Sequence, residues 1–416
     1  MKRKTASLAL LLLAVVPVPA PDAPTPPPPV ATAATPVKTT AALAEFQRRL
    51  LAEGRTLVDH GVYIESLDRS APLAAFNEDI PFNPASVIKL ATSLAALDAL
   101  GSDFRFRTEL LADGEIDPRT HELEGDLILR SGADPSFSIS DARAVGDSLR
   151  HLGINRVRGD LIIVGGFNCN YNSQTDVSAG VFRRQSRLSV SGVTRFETAS
   201  ATGNRGRLLL TVESEPLLKI VYYQNAHSVN AMADLLATRI GGADGIRRFL
   251  VNRLRLAEDS VFISRASGLD VNRITARDTV VVLRALVKWL DSKGIAPEAV
   301  MPVAGVDAGT LIDRFADENF RGSVVAKTGT LHDTDGGVAA LAGLAYTNSC
   351  GPVVFAIYDM AEGRRVEHLR QVQDSFLKDS ILELGGPSPR PVDETRRETP
   401  APTGRVLFPG SATSRD

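Results

Sequence analysis

The sequence predicts an α+β protein in which helices flank an antiparallel sheet and a strand-rich domain is inserted into the chain. Two short segments near the start have the alternation of strands, "GVYIESLD" and "PLAAFNE". Three more lie near the end, "GSVVAKTGT", "GVAALAGLAYT" and "PVVFAIYDM". Helical patterns lie between the two groups. We therefore expect one sheet assembled from both ends of the chain, which leaves the strands of the middle to a separate unit.

The composition is that of a globular protein large enough for two domains. The chain has 416 residues, 44% of them hydrophobic and 23% charged. A formal net charge of −2 gives no reason to expect a nucleic-acid partner. The six histidines never fall at metal-ligand spacing, so we expect neither a metal nor another cofactor. Cys169 and Cys350 either form one disulfide or stay unpaired, and we favour two unpaired cysteines.

The N-terminus has the pattern of a secretory signal peptide. In residues 1–20 a basic start is followed by an apolar run of about ten residues and then by small residues and prolines. Cleavage after Ala20 and cleavage after Ala33 both fit the small-residue rule. The alternative, an uncleaved membrane anchor, is disfavoured because the apolar run is shorter than a spanning helix. We expect export to the periplasm and no integral membrane span in the mature form.

Composition and pattern divide the chain into segments. Pro-, Ala- and Thr-rich stretches near both ends cannot bury a core, so we expect them to be disordered. We expect a signal peptide (1–20), a Pro-rich disordered linker (21–39), a discontinuous main domain (40–101 and 222–385), an inserted strand-rich domain (102–221) and a disordered tail (386–416). Helical patterns occur at 41–53, from Ser86 to Gly101, at 140–152, at 243–252 and at 275–291, in "NAMADLLATRIGG" and in a long amphipathic stretch before the tail.

The stretch "PASVIKL" contains a candidate nucleophile. Ser86 and Lys89 lie about one helical turn apart and therefore on one face of the predicted helix. A neutral lysine amine can take the serine proton if burial and neighbouring cations lower its pKa. The alternative is that Ser86 only caps the helix. The spacing alone is weak evidence, because Ser375 and Lys378 repeat it in a helix that we interpret as a solvated surface.

Two later motifs complete a possible site. Residues 228–230 read Ser-Val-Asn just before a helical pattern, and residues 327–330 read Lys-Thr-Gly-Thr at the end of a strand. A second hydroxyl can relay protons, an amide can orient a lysine, and a second cation can raise the potential around the base. Glycine allows the strand to approach a substrate closely. Residues 223–225, Tyr-Gln-Asn, compete for the middle position, but 228–230 directly precede the helix.

Each motif also has a purely structural interpretation. Ser228 can cap a helix, Lys327 can be a solvated charge and Gly329 can form a bulge. These readings suit each motif alone, but the joint order of the three favours a site. Ser-x-x-Lys, Ser-x-Asn and Lys-Thr-Gly in this order resemble the triple of penicillin-binding proteins and related β-lactamases.

Further segments make the resemblance more specific. "FNPASVIKLATSLAALDALG", "GDLILRSGADPSF", "LGINRVRGDLIIVGGFN" and "SRASGLDVNRITARD" are similar to landmarks of the D-alanyl-D-alanine carboxypeptidase/endopeptidase family of low-molecular-mass penicillin-binding proteins, peptidase family S13. The resemblance covers about 60–350 and implies the transpeptidase fold shared with serine β-lactamases. Two features differ from the family: the insertion is shorter than in its longest members, and Asp270 replaces a serine.

The resemblance implies a role for each motif residue. It makes Ser86 the acylated nucleophile and Lys89 its base, while Ser228 and Asn230 move protons and position the peptide. Lys327 with the hydroxyls of Thr328 and Thr330, on either side of Gly329, would bind the terminal carboxylate. The backbone N–H groups of Ser86 and Thr330 would form the oxyanion hole.

The same resemblance implies an activity. We expect cofactor-free hydrolysis of D-Ala–D-Ala bonds or cross-links in peptidoglycan stem peptides, with β-lactams as covalent inhibitors. A serine β-lactamase is the first alternative, although no glutamate lies in a recognisable deacylation motif. A non-catalytic peptidoglycan-binding envelope protein is the second alternative.

Overall fold

The structure, a computed structural model, describes residues 40–68, 72–360, 366–391 and 393–410. The expected signal peptide and linker lie outside these ranges, as do residues 411–416 of the expected tail. The α-helices of the described ranges are α1 (Ala41–Ala52), α2 (Lys89–Leu100), α3 (Ile139–His151), α4 (Thr175–Gln185), α5 (Ala199–Thr202), α6 (Leu217–His227), α7 (Asn230–Thr238), α8 (Gly242–Arg248), α9 (Ala276–Asp291) and α10 (Val366–Glu383). Among these described helices none is both long and apolar enough to cross a membrane.

The strands fall into one main sheet and one sheet of the insertion, with a short extra pair. They are β1 (His60–Ser66), β2 (Pro72–Phe76), β3 (Pro81–Phe82), β4 (Arg107–Asp117), β5 (Glu122–Arg130), β6 (Arg156–Val157), β7 (Leu161–Val164), β8 (Ser189–Val190), β9 (Thr194–Glu197), β10 (Arg207–Glu213), β11 (Ile274–Thr275), β12 (Val324–Leu331), β13 (Val338–Thr347), β14 (Gly351–Met360) and β15 (Arg405–Leu407).

The main sheet combines both ends of the chain, as the sequence predicts. Its strand order is β12-β13-β14-β1-β2, and every neighbouring pair is antiparallel. The central strands are almost wholly buried because helices cover both faces: α2 and α9 lie on one face, and α1 and α10 on the other. The predicted antiparallel sheet flanked by helices is therefore confirmed.

The middle of the chain forms a second sheet with its own core. Its main path is β15-β10-β4-β5-β6-β8, and β7 and β9 extend it from β5. The helices α3 and α4 contribute to its core, where the rings of Phe137, Phe167 and Phe182 pack against one another. The expected boundary at residue 221 falls inside α6, whose Leu217 and Ile220 belong to the main core instead. We accordingly propose a boundary between β10 and α6.

The prediction that the tail from residue 386 is disordered is wrong for its described part. Strand β15 pairs antiparallel with β10 of the inserted sheet. The Arg405 guanidinium donates to buried Glu213 at 2.6 and 3.0 Å, and Arg396 makes two hydrogen bonds to buried Asp307. Arg396 supplies the ion pair of buried Asp307, and Arg405 adds a second arginine to Glu213, which Arg107 also contacts. Ion pairing thus helps to order a segment of low apolar content.

The cysteines are unpaired, as expected. Cys169 is buried in the core of the inserted sheet, and Cys350 is partly buried against the main core. Burial raises the pKa of the Cys169 thiol to about 12, which makes it unreactive.

Candidate active site

Ser86 lies in a tight turn that precedes α2. Residues Ala85–Ile88 form one 3-10 turn, and Ala85 has a left-handed backbone with φ 45°. Such a conformation is costly for alanine, so it persists only where neighbours fix it. The Asn83 side chain does so: its oxygen accepts from Ala85 N at 3.0 Å and its nitrogen donates to Asp335 at 2.8 Å. The turn that carries Ser86 is thereby held in one conformation.

The side chain of Lys89 lies directly beside the Ser86 hydroxyl. Lys89 Nζ is 2.8 Å from Ser86 Oγ and 2.7 Å from Asn230 Oδ1, and it also donates to the carbonyl of Ser267. Burial lowers the pKa of Lys89 to about 7, while the charge of Asp234 acts in the opposite direction. Lys89 can therefore exist as a neutral base near neutral pH.

A second serine–lysine pair lies across the site. Lys327 Nζ is 3.0 Å from Ser228 Oγ and 2.6 Å from the carbonyl of Thr328. The lysine is fully buried, and burial followed by the charge of Lys89 holds its pKa well below the usual range. Ser228 ends α6 in a left-handed conformation, with φ 55° and ψ 40°, and Asn230 begins α7. This sharp turn directs Ser228 to Lys327 and Asn230 to Lys89.

Strand β12 approaches the Ser86 turn closely at Gly329. A Cβ at this position would lie 2.6 Å from Pro84 O and 3.0 Å from Ala85 Cβ, so a larger residue would force the strand away. The neighbouring hydroxyls have partners: Thr328 donates to Thr310 Oγ1 at 2.8 Å, and Thr330 accepts from Arg370 Nη2 at 2.9 Å. Two threonine hydroxyls and backbone N–H groups thus lie on the strand that passes the serine.

The alternative middle motif, residues 223–225, makes its hydrogen bonds away from the two serine–lysine pairs. Asn225 is buried within α6 and donates to Ser93 at 3.1 Å and to the carbonyl of Val300 at 2.8 Å. Gln224 also donates to Ser93. These bonds make Gln224 and Asn225 part of the packing around α2, which favours Ser228 and Asn230 for the site.

The sequence did not reveal four residues at the site. Ser267 supplies a carbonyl to Lys89, and Asp234 holds that segment by accepting from Ser267 N at 2.9 Å. Thr310 and Arg370 contact the two threonines of β12. Ser267 lies in the segment "SRASGLD", which is part of the family resemblance, but no local signal points to Thr310 or Arg370. The unassigned Asp270 is mainly exposed and lies 3.5 Å from Arg265.

Together, the fold and the paired serines and lysines have the arrangement expected of the penicillin-binding class of proteins. Residues 44–166 and 178–378 match the D-Ala-D-Ala carboxypeptidase 3 (S13) family. Since the match covers more than half of the chain, the protein belongs to this family.

Two curated relatives match over short segments. The D-alanyl-D-alanine carboxypeptidase DacB of Haemophilus influenzae is 30% identical over 103 residues, which are 25% of this chain and 21% of the relative. The D-alanyl-D-alanine carboxypeptidase of an Actinomadura species is 41% identical over 78 residues, 19% of this chain and 14% of the relative. The matched part is thus about a fifth or less of these relatives' length.

Solved structures share the fold along most of the chain. A predatory endopeptidase from Bdellovibrio bacteriovorus has a TM-score of 0.72 at 20% identity, covering 84% of this chain and 99% of that one. Penicillin-binding protein 4 (DacB) of Haemophilus influenzae has a TM-score of 0.63 at 19% identity, covering 78% and 96%. At such identities the likeness establishes the fold.

Proposed function

We propose that the protein is a serine-type D-Ala-D-Ala carboxypeptidase/endopeptidase that acts on peptidoglycan stem peptides through an acyl-enzyme on Ser86. The observation that carries the proposal is the 2.8 Å contact between Ser86 Oγ and Lys89 Nζ at a buried position where the pKa of Lys89 is about 7. A serine needs an adjacent base to become a nucleophile, and a half-neutral amine at hydrogen-bond distance is such a base.

Acylation then follows from the arrangement of the groups. Neutral Lys89 takes the Ser86 proton as Ser86 Oγ bonds to the carbonyl carbon. The negative oxygen that forms is held by the backbone N–H groups of Ser86 and Thr330. When the C–N bond breaks, the proton that Lys89 took from Ser86 passes through the Ser228 hydroxyl to the leaving D-Ala amine, so Lys89 is neutral again. Lys327 holds the Ser228 hydroxyl in place for this transfer. Asn230 keeps the Lys89 amine in place.

Deacylation uses the same base. A water molecule gives a proton to neutral Lys89 and attacks the ester carbonyl. Lys89 then gives this proton to Ser86 Oγ as the ester C–O bond breaks, which returns both residues to their starting forms. We assign the hydroxyls of Thr328 and Thr330 to the terminal carboxylate of the peptide or the acid group of a β-lactam. A structurally similar protein supports the assignment for β-lactams: one structure of the Bdellovibrio endopeptidase shows that protein acylated by penicillin G.

The direct test is labelling by a fluorescent penicillin followed by a denaturing gel. We expect a stable label that is lost in Ser86→Ala and kept in Ser375→Ala, a matched serine of the second Ser-x-x-Lys segment. Rapid loss of the label would indicate a β-lactamase, and no label at all would indicate a non-catalytic binding protein. Mass spectrometry of digested muropeptides then identifies the bond that is cut.

We also propose that the protein acts in the periplasm after export. The support is the signal-peptide pattern of residues 1–20 together with a substrate that lies outside the inner membrane. N-terminal sequencing of protein recovered from the periplasm tests this. A mature chain that begins after Ala20 or Ala33 is expected, and an intact N-terminus in the membrane fraction would contradict it.

A further inference from the structure

Arg370 places a guanidinium beside the last threonine of the Lys-Thr-Gly-Thr segment. It lies in α10, is half-buried, and donates from Nη2 to Thr330 Oγ1 at 2.9 Å. The guanidinium has five N–H donors and carries a positive charge. With respect to the residues that the structure describes, this one bond to a neutral hydroxyl leaves most of the donors and the positive charge available to a ligand.

The neighbouring carboxylates of α10 are engaged with other groups. Asp374, one turn later, accepts from Arg314 at 2.5 and 2.9 Å. Glu367, one turn earlier, lies 3.7 Å from His332. Within the described ranges no carboxylate forms an ion pair with Arg370. A partly buried cation beside a hydroxyl of the peptide-binding strand is suited to an anionic ligand.

The other cation of this strand is a poor counter-ion. Lys327 is fully buried, and its protonated form is disfavoured by burial and by the nearby Lys89. Its amine also donates hydrogen bonds to Ser228 Oγ and to the carbonyl of Thr328. A ligand carboxylate at the threonine hydroxyls therefore needs its positive partner from outside β12.

We propose that Arg370 is the specificity-determining cation of the site and that, together with the Thr330 hydroxyl, it binds the free terminal carboxylate of the donor peptide. The inference rests on the proposed function, because it assumes that a peptide lies along β12. In this assignment Arg370 binds the negative charge of the peptide, and Lys327 acts with Ser228 in proton transfer. The affinity for peptides whose terminal carboxylate is blocked should then not depend on Arg370.

The test compares two ligands in the Ser86→Ala protein, where binding is separated from chemistry. Calorimetry measures the Kd of an N-acetylated tripeptide that ends in D-Ala-D-Ala and of the same peptide as its C-terminal amide. We expect Arg370→Ala to weaken binding of the carboxylate peptide about 10- to 100-fold, the range for a hydrogen-bonded charge, and to leave the amide unchanged. Arg370→Lys should recover part of the loss because it keeps the charge.

A matched control lies two turns further along the same helix. Lys378 is an α10 cation already paired with Asp317 at 2.6 Å, so Lys378→Ala should change neither Kd. The inference is overturned if Arg370→Ala binds the carboxylate peptide as tightly as its parent, if it loses both peptides alike, or if the parent binds neither. Failure of the proposed function is a different result, namely no penicillin label on the protein that retains Ser86.

Discussion

Lys327 Nζ and Ser228 Oγ lie 3.0 Å apart although 99 positions separate them in the chain. The lysine comes from an edge strand of the main sheet, and the serine from the turn between α6 and α7. Their contact gives Ser228 an amine partner of its own, separate from the Ser86–Lys89 pair. The site therefore has two serine–lysine pairs. The proposed mechanism assigns the first to attack on the carbonyl and the second to proton delivery to the leaving amine.

Removal of the second hydroxyl should slow acylation and leave the fold intact. We expect Ser228→Ala to lower the second-order rate of penicillin acylation by about 10²- to 10⁴-fold, the range for loss of one proton-transfer group. Stopped-flow or timed gel labelling measures this rate, and Ser375→Ala serves as the control. A rate within about threefold of the unmodified protein would remove Ser228 from the proton path.

The acylation rate should depend on the protonation of the buried lysines. Because burial lowers the pKa of Lys89 to about 7, the neutral base is lost as the pH falls through that value. We expect the rate to decline about tenfold per pH unit below the apparent pKa of the lysine pair. Penicillin acylation measured from pH 5 to 9 checks this, and a flat profile would exclude Lys89 as the base.

Asp234 provides a second test of the same base. Its charge raises the pKa of Lys89, so Asp234→Asn should lower that pKa further and move the rising limb of the rate profile to lower pH. The asparagine oxygen can still accept from Ser267 N, which keeps the local geometry. If the rising limb of the rate profile moved to higher pH, Asp234 would affect Lys89 through the local structure and not through its charge.

A methyl group on Gly329 should separate β12 from the nucleophile. Since its Cβ would lie 2.6 Å from Pro84 O, Gly329→Ala must displace the strand or the turn. Misplacement by about 1 Å typically costs about 10²-fold in rate, and we expect penicillin acylation to fall accordingly. Gly166→Ala is the control because its Cβ would meet nothing within 4 Å. Equal rates for both variants would show that the close approach is unimportant.

The ordered tail should contribute to stability through Arg396. This guanidinium binds Asp307 at 2.8 and 2.7 Å, and the Asp307 side chain is 0% exposed. Arg396→Ala leaves that carboxylate buried without its partner and should lower the free energy of unfolding by about 3 kcal/mol. Arg397→Ala, whose ion pair with Glu394 is exposed, should change it by less than about 0.5 kcal/mol. Similar losses in denaturant titrations of both variants would contradict a specific anchor.

Much of this architecture could be predicted from local patterns. The strands of the main sheet alternate or are wholly apolar, and α9 and α10 show helical periodicity, so each segment signals its own structure. The tail could not be predicted, because β15 and Arg396 are ordered by a strand and a carboxylate far away in the chain. The helix α6 could not be predicted for the same reason. Its apolar residues do not distinguish a helix from a strand, and only their packing against α2 in the main core decides it.

The sequence by itself determined the three motifs of the site and the order in which they occur, since Ser-x-x-Lys, Ser-x-Asn and Lys-Thr-Gly are local patterns. Only the tertiary structure decided which lysine amine lies beside which serine hydroxyl. It also decided that Arg370 and Thr310 contact the threonines of β12. The reason is that the basicity of a lysine depends on how much water surrounds it. That depends on the helices and strands that enclose Lys89 and Lys327, and these come together only in the folded chain.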